Sequence, residues 1–117
     1  MSRVHFKVAV ATLSLALIVG SVPVYADDAA ALAKAKHCFE CHGAKTEGVG
    51  PSFTDIARRF SGLKNAKSML ASVIEAGSDS PGAIYHWSHI KMPPAAVRVP
   101  VSKAEADVLA DYVLGFK

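Results

Sequence analysis

Residues 38–42 read Cys38-Phe39-Glu40-Cys41-His42 and hold both cysteines of a 117-residue chain. A disulfide between thiols three positions apart closes almost no loop and constrains the unfolded chain little, so the pair serves chemistry. With a histidine directly after, the pattern is C-x-x-C-H, the attachment site for haem c. Two thiols add across the vinyl groups as thioethers, and three residues of helical chain match the separation of those groups. His42 is then placed over the iron as proximal ligand. Two other chemistries compete for the pattern. A thioredoxin-type pair normally carries its histidine between the cysteines, near a βαβ unit, and no β-branched run precedes Cys38. A zinc site needs two more ligands, and the i, i+3 spacing of His86 and His89 suits it poorly.

Upstream of the motif the composition changes. Of residues 1–26, 17 are apolar, against 43 of the remaining 91. Arg3 and Lys7 make a basic start, and residues 8–19 are apolar except Thr12 and Ser14. Gly20, Ser21 and Pro23 end the run, and Val24-Tyr25-Ala26 fits the small-x-small rule for cleavage. An apolar run of this length is too short to span a bilayer, which needs about 20 residues. Residues 1–26 are therefore expected to be a cleaved secretory signal, and residues 27–117 the exported domain, with no stable membrane insertion. The formal charge of +3 shrinks with the cut, since Arg3 and Lys7 leave with the signal. The remaining basic residues are scattered, which argues against a nucleic-acid partner.

Downstream, the iron needs either a sixth ligand or an open face. Met69 falls in a helical pattern over residues 65–76, with Asn65 as cap and Gly77 as stop, and Met69, Leu70, Val73 and Ile74 share one face. That marks Met69 as core. Met92 sits in Lys91-Met92-Pro93-Pro94, where the prolines forbid regular helix and stiffen the chain. Met92 is the expected ligand, with His89 and His86 as alternatives. Asp27 and Asp28 open a helix that runs towards His37. Ser52 and Asp55 can cap a short helix through Phe60. Gly43, Gly48 and Gly50 are expected to supply unusual backbone angles in a loop. Ser102 and Glu105 form a capping box, with Gly115 as stop and an apolar face of Val108, Leu109, Tyr112 and Val113. Residues 77–101 are irregular, a long loop that a compact domain tolerates when it packs on something. The reading is all-α, about four helices and loops around one haem.

On these motifs the chain resembles the small bacterial class I cytochromes c, the soluble monohaem carriers of the cytochrome c fold. The resemblance covers essentially residues 27–117. It places Cys38 to His42 one turn into the first helix, and makes the carbonyl of Pro51, in Val49-Gly50-Pro51, the acceptor for the ring N–H of His42. It likens the helix that carries Arg58 to the one packed beside the haem, makes Arg58 a haem-contact candidate and aims the Trp87 indole N–H at a propionate. It likens Met92-Pro93-Pro94 to the ligand loop, and Tyr112 to an aromatic near the first helix.

The resemblance implies a periplasmic one-electron carrier, not an enzyme, monomeric or in weak complexes. A molybdenum or quinol dehydrogenase would reduce it, and a terminal oxidase or reductase would oxidise it. The alternative is a gas sensor or peroxidase with an open or His-ligated distal site, which needs a distal group such as His89 or Arg58. A docking rim is expected to carry Lys45 and Lys91 around Ala44, Ile90, Pro93 and Ala95.

Overall fold

Helix starts in this chain follow its caps. The computed structural model describes residues 25–81, 83, 84, 87 and 89–117. The expected signal lies outside these, except that Tyr25 and Ala26 open α1 (Tyr25–Ala35), with Asp27 and Asp28 in its first turn. The Ser52 hydroxyl accepts the Asp55 backbone N–H at 3.1 Å and donates to the Asp55 carboxylate at 2.7 Å, capping α2 (Phe53–Phe60). Ser52 is 1% exposed, so these internal bonds replace its lost water. On α4 (Lys103–Leu114), Ser102 and Glu105 close a full capping box, at 3.2 Å and 2.8 Å. Gly115 follows as its C-cap. Helix α3 (Ala66–Ala76) starts where expected, but Asn65 makes no side-chain cap bond. Its backbone (φ −112°, ψ 23°) is not the extended conformation a cap needs.

Helix α4 is the common partner: α1, α2 and α3 all pack against it. Its buried face is Ala106, Leu109, Ala110 and Val113. The expected stripe is thus rotated, for Val108 is 44% exposed. Alanines hold the inner positions because short side chains let neighbouring helices approach closely. Leu70, Ala71 and Ile74 of α3, with Phe53 and Phe60 of α2, complete the core around Leu109. Met69 packs against this core as expected. Phe53 gathers Phe39, Tyr112 and Phe116 with ring centroids 5.4, 6.0 and 5.3 Å away, in edge-on or tilted contacts. Tyr112 therefore meets an aromatic of α2.

The haem motif departs from expectation in its local structure. Helix α1 stops at Ala35, His37 is left-handed (φ 62°, ψ 23°), and Cys38–Glu40 is a separate 3-10 turn. A left-handed residue ends the i→i−4 ladder. The exposed His37 ring lies 2.8 Å from the Glu40 carboxylate, which ties the two sides of the break. The chain then turns on the Cys38 carbonyl, which receives the N–H groups of Cys41 at 3.2 Å and His42 at 3.0 Å. No described residue is in a strand, and no described helix is long and apolar enough to cross a membrane.

Candidate functional site

Between the helices and the segment 90–101 lies a cavity of about 540 Å³, walled mostly by apolar side chains. That volume is in the range of small-molecule and cofactor sites, roughly 300–1,000 Å³. Cys38, Cys41, His42, Pro51 and Met92 all line it. Sequence positions more than 50 apart thus meet at one wall-to-wall space.

One wall is built around His42. The Nδ1 atom stands 2.7 Å from the Pro51 carbonyl, which can only accept, so Nδ1 carries the proton and donates. This fixes the tautomer and leaves the lone pair on Nε2. Burial pushes the imidazole pKa down, opposed by the Pro51 bond, which raises it. Phe53 stacks on the ring with centroids 5.7 Å apart. Gly50 covers its edge: a Cβ there would lie 2.8 Å from His42 Cε1. Gly43, Gly48 and Gly50 have ordinary φ values, so the glycines of this loop serve close approach and not unusual angles. Cys38 and Cys41 are half-buried and are not joined to each other by a disulfide. Burial pushes the Cys38 thiol above its ordinary value, partly offset by the Arg98 cation.

Met92 lines the same cavity. Its backbone is held twice by Ser78, whose hydroxyl accepts the Met92 N–H at 2.9 Å and whose N–H donates to the Met92 carbonyl at 3.1 Å. Gly77, at φ 90°, lies against the same loop; a Cβ there would come within 2.9 Å of the Met92 and Pro93 carbonyl oxygens. Met69 does not reach the cavity, and His89 is exposed and off its wall. His86 lies outside the described residues.

Two haem-contact expectations land differently. Arg58 points to solvent, with its side chain 72% exposed and 3.2 Å from Asp55. Arg59 lines the cavity, one helical turn from Ile56 on the same wall. The spacing of Ile56, Arg59 and Phe60 was the available signal for this. The Trp87 indole N–H donates to Glu47 at 3.0 Å, and the Arg59 guanidinium sits 4.8 Å from the Trp87 ring centroid. Arg98 also lines the cavity; a single basic residue between valines gave no signal for it. On the rim, Val49, Ile90, Pro93 and Val97 are exposed, while Ala44 and Ala95 stand off the wall. Lys91 is on the wall and 2.7 Å from Asp79.

These residues fit haem c. The apolar cavity suits a flat macrocycle, and two thiols line it together with an imidazole whose Nδ1 is engaged and a methionine.

The comparisons with known proteins agree. The cytochrome c family profile matches residues 26–117. The chain is 35% identical over 111 residues to cytochrome c-551 of Stutzerimonas stutzeri, across 95% of this chain and 98% of that protein. It is 40% identical over 93 residues to cytochrome c-552 of Nitrosomonas europaea, across 80% of this chain and 82% of that one. The crystal structure of wild-type Nitrosomonas europaea cytochrome c552 superposes with a TM-score of 0.63, covering 75% of this chain and 99% of that chain.

Proposed function

The chain belongs to the cytochrome c family, among its small class I monohaem members, and from this we propose that it is an exported one-electron carrier with His42 and Met92 as iron ligands. It carries one covalently attached haem c at the C-x-x-C of Cys38 and Cys41. When bound, the haem supplies a single-electron couple at its iron. The chain's residues set the conditions for it. His42 offers Nε2 with its tautomer locked by Pro51, and the locked ring is the better donor. Met92 offers a soft, weak ligand from a loop pinned to the end of α3, and such a ligand favours the reduced iron and raises the potential. The apolar walls exclude water and act in the same direction. Arg59, on the cavity wall, would offer a cation to a propionate, while the Trp87 N–H has Glu47 as its acceptor.

The observation that carries the ligation is one cavity lined by both His42, with Nδ1 engaged, and Met92, with its backbone pinned. Arg58 and His89, the distal groups expected for a gas-binding or peroxidase role, both lie off the wall. We place the protein in the periplasm after removal of residues 1–26. There a molybdenum or quinol dehydrogenase would be the donor, and a terminal oxidase or reductase the acceptor.

Carbon monoxide tests the ligation. The reduced wild type should resist it. Met92→Ala should bind it readily and show a lower potential, and Met69→Ala should keep the wild-type spectrum. Exchange of these two phenotypes would give the ligand role to Met69.

A further inference from the structure

Four backbone carbonyls converge on one guanidinium in the segment that follows Met92. Arg98 Nε donates to the Pro93 carbonyl at 2.8 Å. Its Nη2 donates to the carbonyls of Ile74 and, at 3.0 Å, Glu75, and Nη1 reaches that of Val99 at 3.5 Å. Ile74 and Glu75 belong to the last turn of α3, where carbonyls have no partner within the helix. The Val73 carbonyl of that turn receives the Gly77 N–H at 2.7 Å, and the next two receive Arg98. The cation also meets the negative end of the helix dipole. Pro93 directly follows Met92, so this fork joins the end of α3 to the residue beside the sulfur ligand.

We propose that Arg98 is a positioning residue for the Met92 sulfur, holding the loop shut by clasping the Pro93 carbonyl to the C-terminus of α3. This rests on Met92 being the ligand. The Ser78 pair fixes Met92 from one side, and Gly77 lets the two strands of chain touch. Without a second clasp at Pro93, the loop would pivot on Ser78. The task needs a planar fork: an ammonium is a point donor on a flexible stem and does not reproduce several fixed N–H directions. Charge alone would not do it.

Mixing the ferric holoprotein with saturating imidazole tests this, because imidazole enters only when the methionine loop opens. The long-wavelength sulfur-to-iron charge-transfer band reports ligation at rest. Arg98→Gln and Arg98→Lys should both take up imidazole at least about tenfold faster than wild type, as expected for loss of bonds from a charged donor. Ser102→Ala, which removes the α4 cap, should lower thermal stability and leave the imidazole rate unchanged. A wild-type rate in Arg98→Lys would reduce Arg98 to a charge, and equal acceleration in Ser102→Ala would reduce it to general stability; either overturns the proposal. A wild type without the band removes Met92 as ligand, and this inference with it. A wild type with the band but unchanged Arg98 variants strikes the inference alone.

Discussion

The seat of the His42 imidazole depends on a side chain that is missing. Gly50 lets the backbone pass over the His42 ring, and a methyl group there would overlap Cε1 at 2.8 Å. The ring has little room to yield, since Phe53 stacks on one face and Pro51 holds Nδ1. Gly50→Ala should therefore tilt the imidazole, weaken the Pro51 bond and destabilise the holoprotein by about 1–3 kcal/mol, as overpacking does. Chemical denaturation reads the stability, and the ring N–H proton resonance of His42 reads the bond. An unchanged resonance would mean that the loop moves instead of the ring. Met69→Ala, a truncation of a half-buried core side chain, should cost about 2 kcal/mol without touching the haem spectrum.

At the scale of elements, the α4 capping box makes stability depend on acid. The Ser102 backbone N–H, and after it the Lys36 ammonium, holds the Glu105 carboxyl below its ordinary value of 4.5. A carboxyl whose pKa is depressed by folding stabilises the fold when ionised. That contribution is complete above the ordinary value and is lost as pH falls through the lower folded value. Glu105→Gln should therefore lower the thermal midpoint near neutral pH and narrow its gap to wild type in acid. A gap that stays constant across that range would remove Glu105 as the source. This box was legible in Ser102-Lys103-Ala104-Glu105 because the interaction is local, and the same holds for Ser52 with Asp55. The helices, and the meeting of the thiols, His42 and Met92 at one cavity, were legible for similar reasons of spacing and punctuation. What stayed hidden depends on tertiary contact. The rotation of α4 that exposes Val108 is set by the approach of its neighbours, and the break at His37 has no glycine to announce it. Arg59 reaches the cavity, and Arg58 does not, through the orientation of α2 on α4.

At the scale of the molecule, the cavity opens beside a small apolar rim of Val49, Ile90, Pro93 and Val97, and redox partners would dock there. Such encounters use small interfaces, often below about 1,200 Å², so rim charge governs the rate of approach. Lys91 is a weak probe of this, because Asp79 at 2.7 Å already offsets its charge. Lys45, exposed in the same loop as Val49, is the better one. Lys45→Glu should slow electron transfer with the physiological partner at low ionic strength and converge on wild type at high salt. An unaffected rate, with Lys103→Glu slowed instead, would move the docking face to α4. The convergence of α1, α2 and α3 on α4 also orders events in time. Synthesis presents Cys38 and Cys41 well before residues 103–114 exist, and until those arrive the core against which Cys38 packs cannot close. The chain thus makes its haem-binding sulfurs before the helix on which the other three pack.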